Sequence, residues 1–327
     1  VVALSEDGRV TGMNDAAAHL LGVAPSEGGA KTLYEVVRSA RLQRFIEGCL
    51  ERRESGECEV ELSRDGGRRV RARMTPLAED EEHRLGGVLM LEDVTRLRRL
   101  ERVRQDFVAN VTHELKTPIT SIKGFVETLL EGAYREPERA EHFLKILDRQ
   151  VGRLNALIED LLVLSRMEEQ EDRSELELQD VPLADIIDNA LDVCAQQAEQ
   201  RDVDIERDVP SELHGRVNAA LAEQAVVNLL ENAVKYTGEG GTVTVSARSS
   251  GDEVCIEVED CGPGIPENEQ NRIFERFYRV DKGRSRELGG TGLGLSIVKH
   301  VADLHGGQVR VDSSPGRGSS FTICFPA

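Results

Sequence analysis

The sequence predicts a multidomain α+β chain: a small mixed α/β module, a pair of long helices, and an α/β sandwich. Three observations predict it. Before residue 94, apolar and polar residues alternate in short runs. From Leu97 onward, apolar residues recur at about 3.5-residue spacing over two long stretches. From residue 176 to the end, strand and helix periods interleave between glycine turns. The 327 residues suit two or three domains. The boundaries read here are 1–94, 95–168, a hinge at 169–175, and 176–327.

Composition narrows the function classes. Hydrophobic residues make up 39% of the chain, enough for ordinary cores, and the net charge is −19. Such a surface repels nucleic acid, so no direct nucleic-acid partner is expected. Basic residues occur in short Arg-rich runs; Arg68, Arg69, Arg71 and Arg73 form one, and strand alternation reads it as a solvated face. Cys49, Cys58, Cys194, Cys255, Cys261 and Cys324 make no C-x-x-C pair, and reduced thiols are expected. No apolar run reaches the roughly 18 residues of a membrane span. The chain begins at Val1 without Met and is expected to be the cytoplasmic portion of a longer protein. That leaves room for a membrane anchor upstream.

Val1–Leu4 and Val10–Met13 read as strands around the Glu6-Asp7-Gly8 turn. Asn14 caps a helix over Ala16–Leu21, and Gly22 stops it. Leu33–Val37 is helical. Leu42, Phe45, Ile46 and Cys49 mark a second helix over Arg41–Glu51. Cys58, Val60 and Leu62 alternate, then Asp65-Gly66-Gly67 turns the chain. Val70, Ala72 and Met74 alternate next, and Gly87–Leu91 is the last strand, ended by Glu92-Asp93-Val94-Thr95. This order, closing on EDVT, resembles a PAS sensor domain. His19 and His83 read as surface or satisfied side chains, not flavin or haem ligands. An unliganded signal-relay or dimerisation module fits as well as a ligand sensor.

Thr95 caps a helix running to Leu130. Its seam is Leu97, Leu100, Val103, Phe107, Val111, Leu115, Ile119, Ile122, Val126 and Leu129. Gly132 and Pro137 bound a turn. A second helix carries Phe143, Leu147, Val151, Leu154, Ile158, Leu161 and Leu164. A lone hairpin of this kind has no core. Two copies make a dimeric antiparallel four-helix bundle, so a homodimer is expected. The stretch Phe107–Pro118, FVANVTHELKTP, lies on the first helix. His113 and Thr117 share a face one turn apart. Pro118 lacks an N–H and crowds the turn behind it. The stretch resembles the phosphoacceptor box of sensor histidine kinases. The resemblance implies that His113 attacks the γ-phosphate of ATP, while Glu114 accepts the ring proton or orients the ring.

Beyond residue 176, helices are expected over Val181–Arg201, Asn218–Lys235 and Val298–Leu304. Strands are expected over Val203–Arg207, Val243–Ala247, Val254–Glu259, Gln308–Ser313 and Ser319–Phe325. Four motifs lie among them. Asn228 and Asn232 in NLLENAVKYT face one way, one turn apart, and an amide oxygen is a hard ligand suited to Mg²⁺. DCGPGIP puts Asp260 at a strand end, with Gly262 and Gly264 after it. IFERFYRV offers Phe274 and Phe277 as anchors and Arg276 and Arg279 as phosphate contacts. The polar run Asp281–Leu288 reads as a lid. GGTGLGLSIV, with Gly290, Gly292 and Gly294, frees N–H groups for phosphate oxygens at a helix start near Leu295. No G-K-[ST] follows, so this is not a P-loop.

In order and spacing these motifs resemble the ATP-binding lobe of the histidine kinase superfamily, shared with heat-shock chaperones, type II topoisomerases and mismatch-repair ATPases. The resemblance implies that Asn232 ligates Mg²⁺ and Asn228 holds the phosphate end. Lys235 adds charge there and Tyr236 lines the nucleotide pocket. Asp260 accepts from the adenine amino group, and Arg279 is favoured over Arg276. It further implies an ATP-dependent autokinase that passes the phosphoryl group to an aspartate on the receiver domain of a separate response regulator. Thr117 is placed to orient water in a regulator phosphatase reaction. The nearest type is the phosphate-starvation class of sensor kinase. The rival reading, a dimeric scaffold with a degenerate ATP lobe, sits poorly with intact Asn232 and Asp260.

Overall fold

The structure is a computed structural model that describes residues 1–23, 39–62, 67–77, 86–169, 176–281 and 290–326. The expected helix at Leu33–Val37, Asp65-Gly66 of the hairpin turn, His83, most of the hinge and nearly all of the lid lie outside the described residues. The chain divides into two units, Val1–Val108 and Ala109–Ala327.

In the first unit, β1 (Val2–Leu4), β2 (Val10–Met13), β3 (Gly56–Leu62), β4 (Arg68–Pro76) and β5 (Gly87–Asp93) form one antiparallel sheet in the order β2-β1-β5-β4-β3. Asn14 caps α1 (Asp15–Leu21) by accepting from the Ala17 N–H at 3.0 Å, and Gly22 ends it with φ of 65°. Leu42, Ile46 and Cys49 of α2 (Ala40–Arg52) are buried with Val60, Val70, Ala72, Met74 and Leu89. The arginine run is neutralised across strands. Arg71 meets Glu57, Glu59 and Glu92, and Arg73 meets Glu57 at 2.9 Å. The sheet closes onto α3 (Thr95–Leu130). There Asp93 accepts from the Thr95 N–H at 2.9 Å, and the Thr95 hydroxyl accepts from the Arg69 N–H at 2.9 Å.

α3 runs 36 residues and α4 (Pro137–Glu169) 33, joined through Gly132 and a short 3-10 turn at Ala133–Arg135. Pro137 opens α4, where a missing N–H costs nothing. The pair makes little core of its own. Pro118 is the only buried residue of α3 among the described residues. Ile119, Val126, Val151, Ile158 and Leu162 are exposed. The C-terminal part of α4 behaves differently, because Leu157, Leu164 and Met167 are buried in the core of the following lobe.

That lobe has a five-stranded sheet in the order β11-β12-β10-β9-β7. Its strands are β7 (Asp204–Asp208), β9 (Thr242–Ser250), β10 (Glu253–Asp260), β11 (Gln308–Ser313) and β12 (Ser319–Pro326). All neighbours are antiparallel except β7 and β9. The alternate residues Val243, Val245, Val254, Ile256, Val258, Phe321, Ile323 and Phe325 are buried against α5 (Leu183–Gln200), α6 (Ala219–Tyr236) and α8 (Gly294–Leu304). A short α7 (Glu267–Gln270) follows the Asp260 turn. Buried His305 accepts from the Asn218 N–H through Nε2 at 3.0 Å, while its Nδ1 meets Val301 O at 2.8 Å. The neutral ring thereby fixes the start of α6.

Two expectations need correction. The helix foreseen from Val181 begins at Leu183, because Val181 and Pro182 belong to β6 (Gln179–Pro182), which pairs with an unforeseen β8 (His214–Val217). Cys255 and Cys324 are not reduced thiols. They are direct register partners on β10 and β12, with Cα atoms 4.1 Å apart, and form a disulfide. Cys49, Cys58, Cys194 and Cys261 are free.

Gly318 pins the end of β10. Its φ is +86°, and a Cβ there would lie 1.9 Å from the Asp260 carbonyl oxygen. Gly251 also has positive φ, 64°, but nothing lies within 4 Å of its would-be Cβ. Gly251→Ala should therefore cost about 1–2 kcal/mol from the left-handed conformation alone. Gly318→Ala should cost clearly more, because backbone must move. Chemical denaturation of both variants checks this, and equal losses would contradict it.

Candidate active site

β10 ends at Asp260, whose carboxylate is 5% exposed and faces a cleft of about 650 Å³. The Gly262 N–H donates to Asp260 Oδ1 at 2.8 Å, which fixes the carboxylate. Burial pushes the Asp260 carboxyl up, opposed by hydrogen bonds from Gly262 and Ser319. α6 supplies one wall, with Asn228, Asn232, Lys235 and Tyr236. Asn228 Nδ2 donates to Gln224 O at 2.9 Å, and its Oδ1 lies beside Gly294. Lys235 Nζ sits 5.5 Å from the Tyr236 ring centroid.

Gly290, Thr291, Gly292 and Gly294 form the opposite rim, leading into α8. Gly292 has φ of +78°, and its would-be Cβ falls 3.0 Å from Phe277 Cα. Phe277 itself adopts φ of 63°, and its N–H donates to Gly292 O at 2.8 Å. A non-glycine residue in this region carries roughly 1–3 kcal/mol of strain. Phe274 and Phe277 pack against the lobe core, so the strained turn is anchored. Arg279 follows on the cleft wall, with a side chain 6% exposed. Its Nη2 donates to Thr291 O at 2.7 Å, and its buried Nε has no hydrogen-bond partner among the described residues. A buried, unsatisfied guanidinium N–H suits an anionic group in the cleft.

On α3, His113 and Thr117 are exposed. The Thr117 hydroxyl donates to His113 O at 3.1 Å, and Pro118 has no N–H to offer the Glu114 carbonyl. Glu114 is turned inward. Its Oε2 accepts from Arg153 of α4 at 2.8 Å and from Arg279 at 2.9 Å.

The structure thus gathers Asn228, Asn232, Lys235, Tyr236, Asp260, Gly264, Arg279, Gly290, Gly292 and Gly294 around one cleft. Gly262 stands behind Asp260 instead of on the lining. His113, Glu114 and Thr117 are outside the cleft, and of the three Glu114 reaches its wall, through Arg279. The sequence reading missed Arg153 and the part of α4 that walls the cleft, namely Ala156, Glu159, Asp160 and Val163. Their apolar spacing marks α4 as a bundle helix, and nothing local marks a second use. Burial raises the Asp160 carboxyl, opposed by a Thr291 hydrogen bond and by Lys235.

The donor set suits a metal held mainly by its own substrate. Among the described residues, the cluster close enough for a metal is Glu253, Cys255 and Cys324, and the disulfide occupies both sulfurs. Within the cleft the amides of Asn228 and Asn232 offer neutral oxygen donors beside the carboxylates of Glu159, Asp160, Glu231 and Asp260, which fits a magnesium ion that takes few protein ligands beside phosphate oxygens.

Residues 217–327 match the family model of histidine kinase-, DNA gyrase B-, and HSP90-like ATPases. Residues 103–170 match the His Kinase A (phospho-acceptor) domain, and residues 1–99 match the PAS fold. The sensor-like histidine kinase SenX3 of Mycolicibacterium smegmatis is 39% identical over 257 residues, 79% of this chain, and the chain spans 66% of that relative's length. The sensor protein kinase WalK of Staphylococcus aureus is 32% identical over 329 residues, 100% of this chain and 78% of the relative. The fold matches the histidine kinase ThkA, solved in complex with response regulator protein TrrA, at a TM-score of 0.54 and 23% identity, covering 99% of this chain and 94% of that one.

Burial, with Arg279 and Arg201 nearby, pushes the Lys235 ammonium down to about 8. The folded chain then releases this proton before the unfolded chain does, so stability rises with pH between about 8 and the ordinary lysine value of 10.5. Lys235→Met should unfold at higher temperature than the parent at pH 7, and the gap should shrink through that window. A gap independent of pH would contradict the assigned burial cost.

Proposed function

Because the chain belongs to the sensor histidine kinases of two-component signalling, we propose that its C-terminal lobe binds ATP and phosphorylates His113. Adenine is placed against Asp260, and the phosphates run along α6 toward Lys235, Arg279 and the glycine rim. Asn232, with Asn228 beside it, would hold Mg²⁺, which when bound neutralises phosphate charge. The observation that carries the reading is Arg279. Its guanidinium leaves the wall of the nucleotide cleft and reaches the carboxylate next to His113.

Transfer is an in-line displacement. A neutral imidazole nitrogen of His113 bonds to the γ-phosphorus as the bond to the β-γ bridging oxygen breaks, and ADP leaves. Imidazole suits the task because it is nucleophilic and largely neutral near pH 7. Glu114 accepts the ring proton or orients the ring. The protein's contribution is alignment and charge compensation. The lobe has to shift from its present seat on α4 to bring the phosphate to the exposed ring.

The partners follow from the same reading. An aspartate on a separate response regulator receives the phosphoryl group from His113. A second copy of the chain covers the exposed stripe of α3 and α4 in a homodimeric four-helix bundle. The proposed division is an input module over 1–94, the helix pair over 95–168, a hinge over 169–175 and the catalytic lobe over 176–327. No described helix is long and apolar enough to cross a membrane. Thr117, exposed on the His113 face, serves the reverse reaction by holding water for hydrolysis of the regulator's aspartyl phosphate.

Incubation with γ-labelled ATP should give a label stable to base and labile to acid. His113→Gln should abolish it while leaving nucleotide affinity nearly unchanged. Label retained in that variant would reject His113, and binding without any label in the parent would favour the scaffold reading. Thr117→Ala should keep most of the label uptake and lose most of the stimulated release from a phosphorylated regulator. Equal losses in both rates would remove the separate role of Thr117.

A further inference from the structure

Glu114 does not stand ready beside His113 in this structure. Its carboxylate is 14% exposed and sits between two guanidiniums, Arg153 at 10% and Arg279 at 6% exposure. Both donate to the same oxygen, Oε2, at 2.8 and 2.9 Å. One carboxylate oxygen is thus shared by two guanidiniums, one on α4 and one on the cleft wall. Arg279 borders that cleft and also donates to Thr291 O, while its Nε has no partner among the described residues. The same guanidinium therefore has two competing anionic partners within reach. One is a singly charged carboxylate on the phosphoacceptor helix. The other is the polyphosphate that the cleft is read to hold.

We propose that the Glu114–Arg279 ion pair is a nucleotide-released latch. Before loading, it fastens the lobe to α3 and withholds the carboxylate from His113. A triphosphate entering the cleft draws Arg279 away, because it offers more charge and several acceptor oxygens. Glu114 then keeps Arg153 as its remaining cation, and the lobe is free to leave its seat. This deepens the kinase reading above and rests on it. Linkage makes the effect reciprocal: whatever the latch contributes to the closed arrangement is subtracted from triphosphate affinity.

The test is calorimetric titration of the intact chain with magnesium and a non-hydrolysable ATP analogue, and separately with adenosine. Glu114→Gln keeps the side-chain shape and removes the charge. It should tighten analogue binding by about tenfold, the scale of one charged hydrogen-bonded contact. Adenosine affinity should not change, because adenosine reaches the Asp260 end only. In an Arg279→Gln background, the Glu114→Gln substitution should change analogue affinity by less than twofold. Unchanged or weaker analogue binding in Glu114→Gln would overturn the latch, as would an equal gain for adenosine or a gain that persists without Arg279. A parent chain that binds neither probe would overturn the nucleotide-cleft reading itself, which is a different result from analogue binding indifferent to Glu114.

Discussion

The helix pair cannot bury its own apolar stripe, and this constraint shapes the rest of the molecule. α3 and α4 are each more than 30 residues long, yet neither of the two hydrophobic clusters is made by them alone. Leu100, Val103, Ile119, Val126, Leu144, Val151, Ile158 and Leu162 are all at least 40% exposed in the single chain. Full burial of an exposed side chain of this size is worth on the order of 1.5–3 kcal/mol, and about half of that is still to be gained at each of these half-exposed positions. Among the described residues, cover within the chain is greatest at the far end of α4, where Leu157, Leu164 and Met167 enter the lobe core. That seat makes one helix serve two roles. It carries an exposed apolar stripe on one side and closes the cleft with Ala156, Asp160 and Val163 on another. The proposed second copy covers what remains.

The cleft obeys an electrostatic constraint as well as a packing one. It brings together the cations Lys235 and Arg279 and the carboxylates Glu159, Asp160, Glu231 and Asp260. Asp260 is the most deeply held carboxylate, braced by the Gly262 N–H and by the β12 strand through Gly318 and Ser319. An acceptor fixed in this way discriminates by the donors a ligand offers, since an unmatched buried carboxylate is costly. The end of the cleft that carries Arg279 is held by fewer such braces. Arg279 divides its contacts between Thr291 and Glu114, and the turn that carries it depends on the strained Phe277. In the proposed reading, adenine recognition sits at the end of the central strand β10, and the phosphate contacts sit on the turn that carries Arg279.

Much of this was legible in the sequence, for identifiable reasons. α3 was expected over Thr95–Leu130 and has those bounds, because the apolar seam keeps one helical spacing throughout, across Pro118 and Gly124 alike. β10 and β12 were legible from alternation, and Asp260 from its place at a strand end. What escaped depends on contacts between distant segments. β6 and β8 are four-residue strands whose pairing has no periodic mark, and Pro182 resembles a helix start more than a strand end. Arg153 looks like any solvent-facing bundle residue until Glu114 is placed beside it, 39 positions away. The Cys255–Cys324 pair is 69 residues apart, and register alone brings the two together.

In the proposed homodimer one chain is half of a structure, and sedimentation velocity tests this most directly. The intact chain at micromolar concentration should sediment as a species of twice the 36.1 kDa chain mass. That species should persist at high salt, since an apolar seam is not screened. A monomer with undiminished helical circular dichroism would contradict it, because it would show that α3 and α4 stand in water with their stripe uncovered.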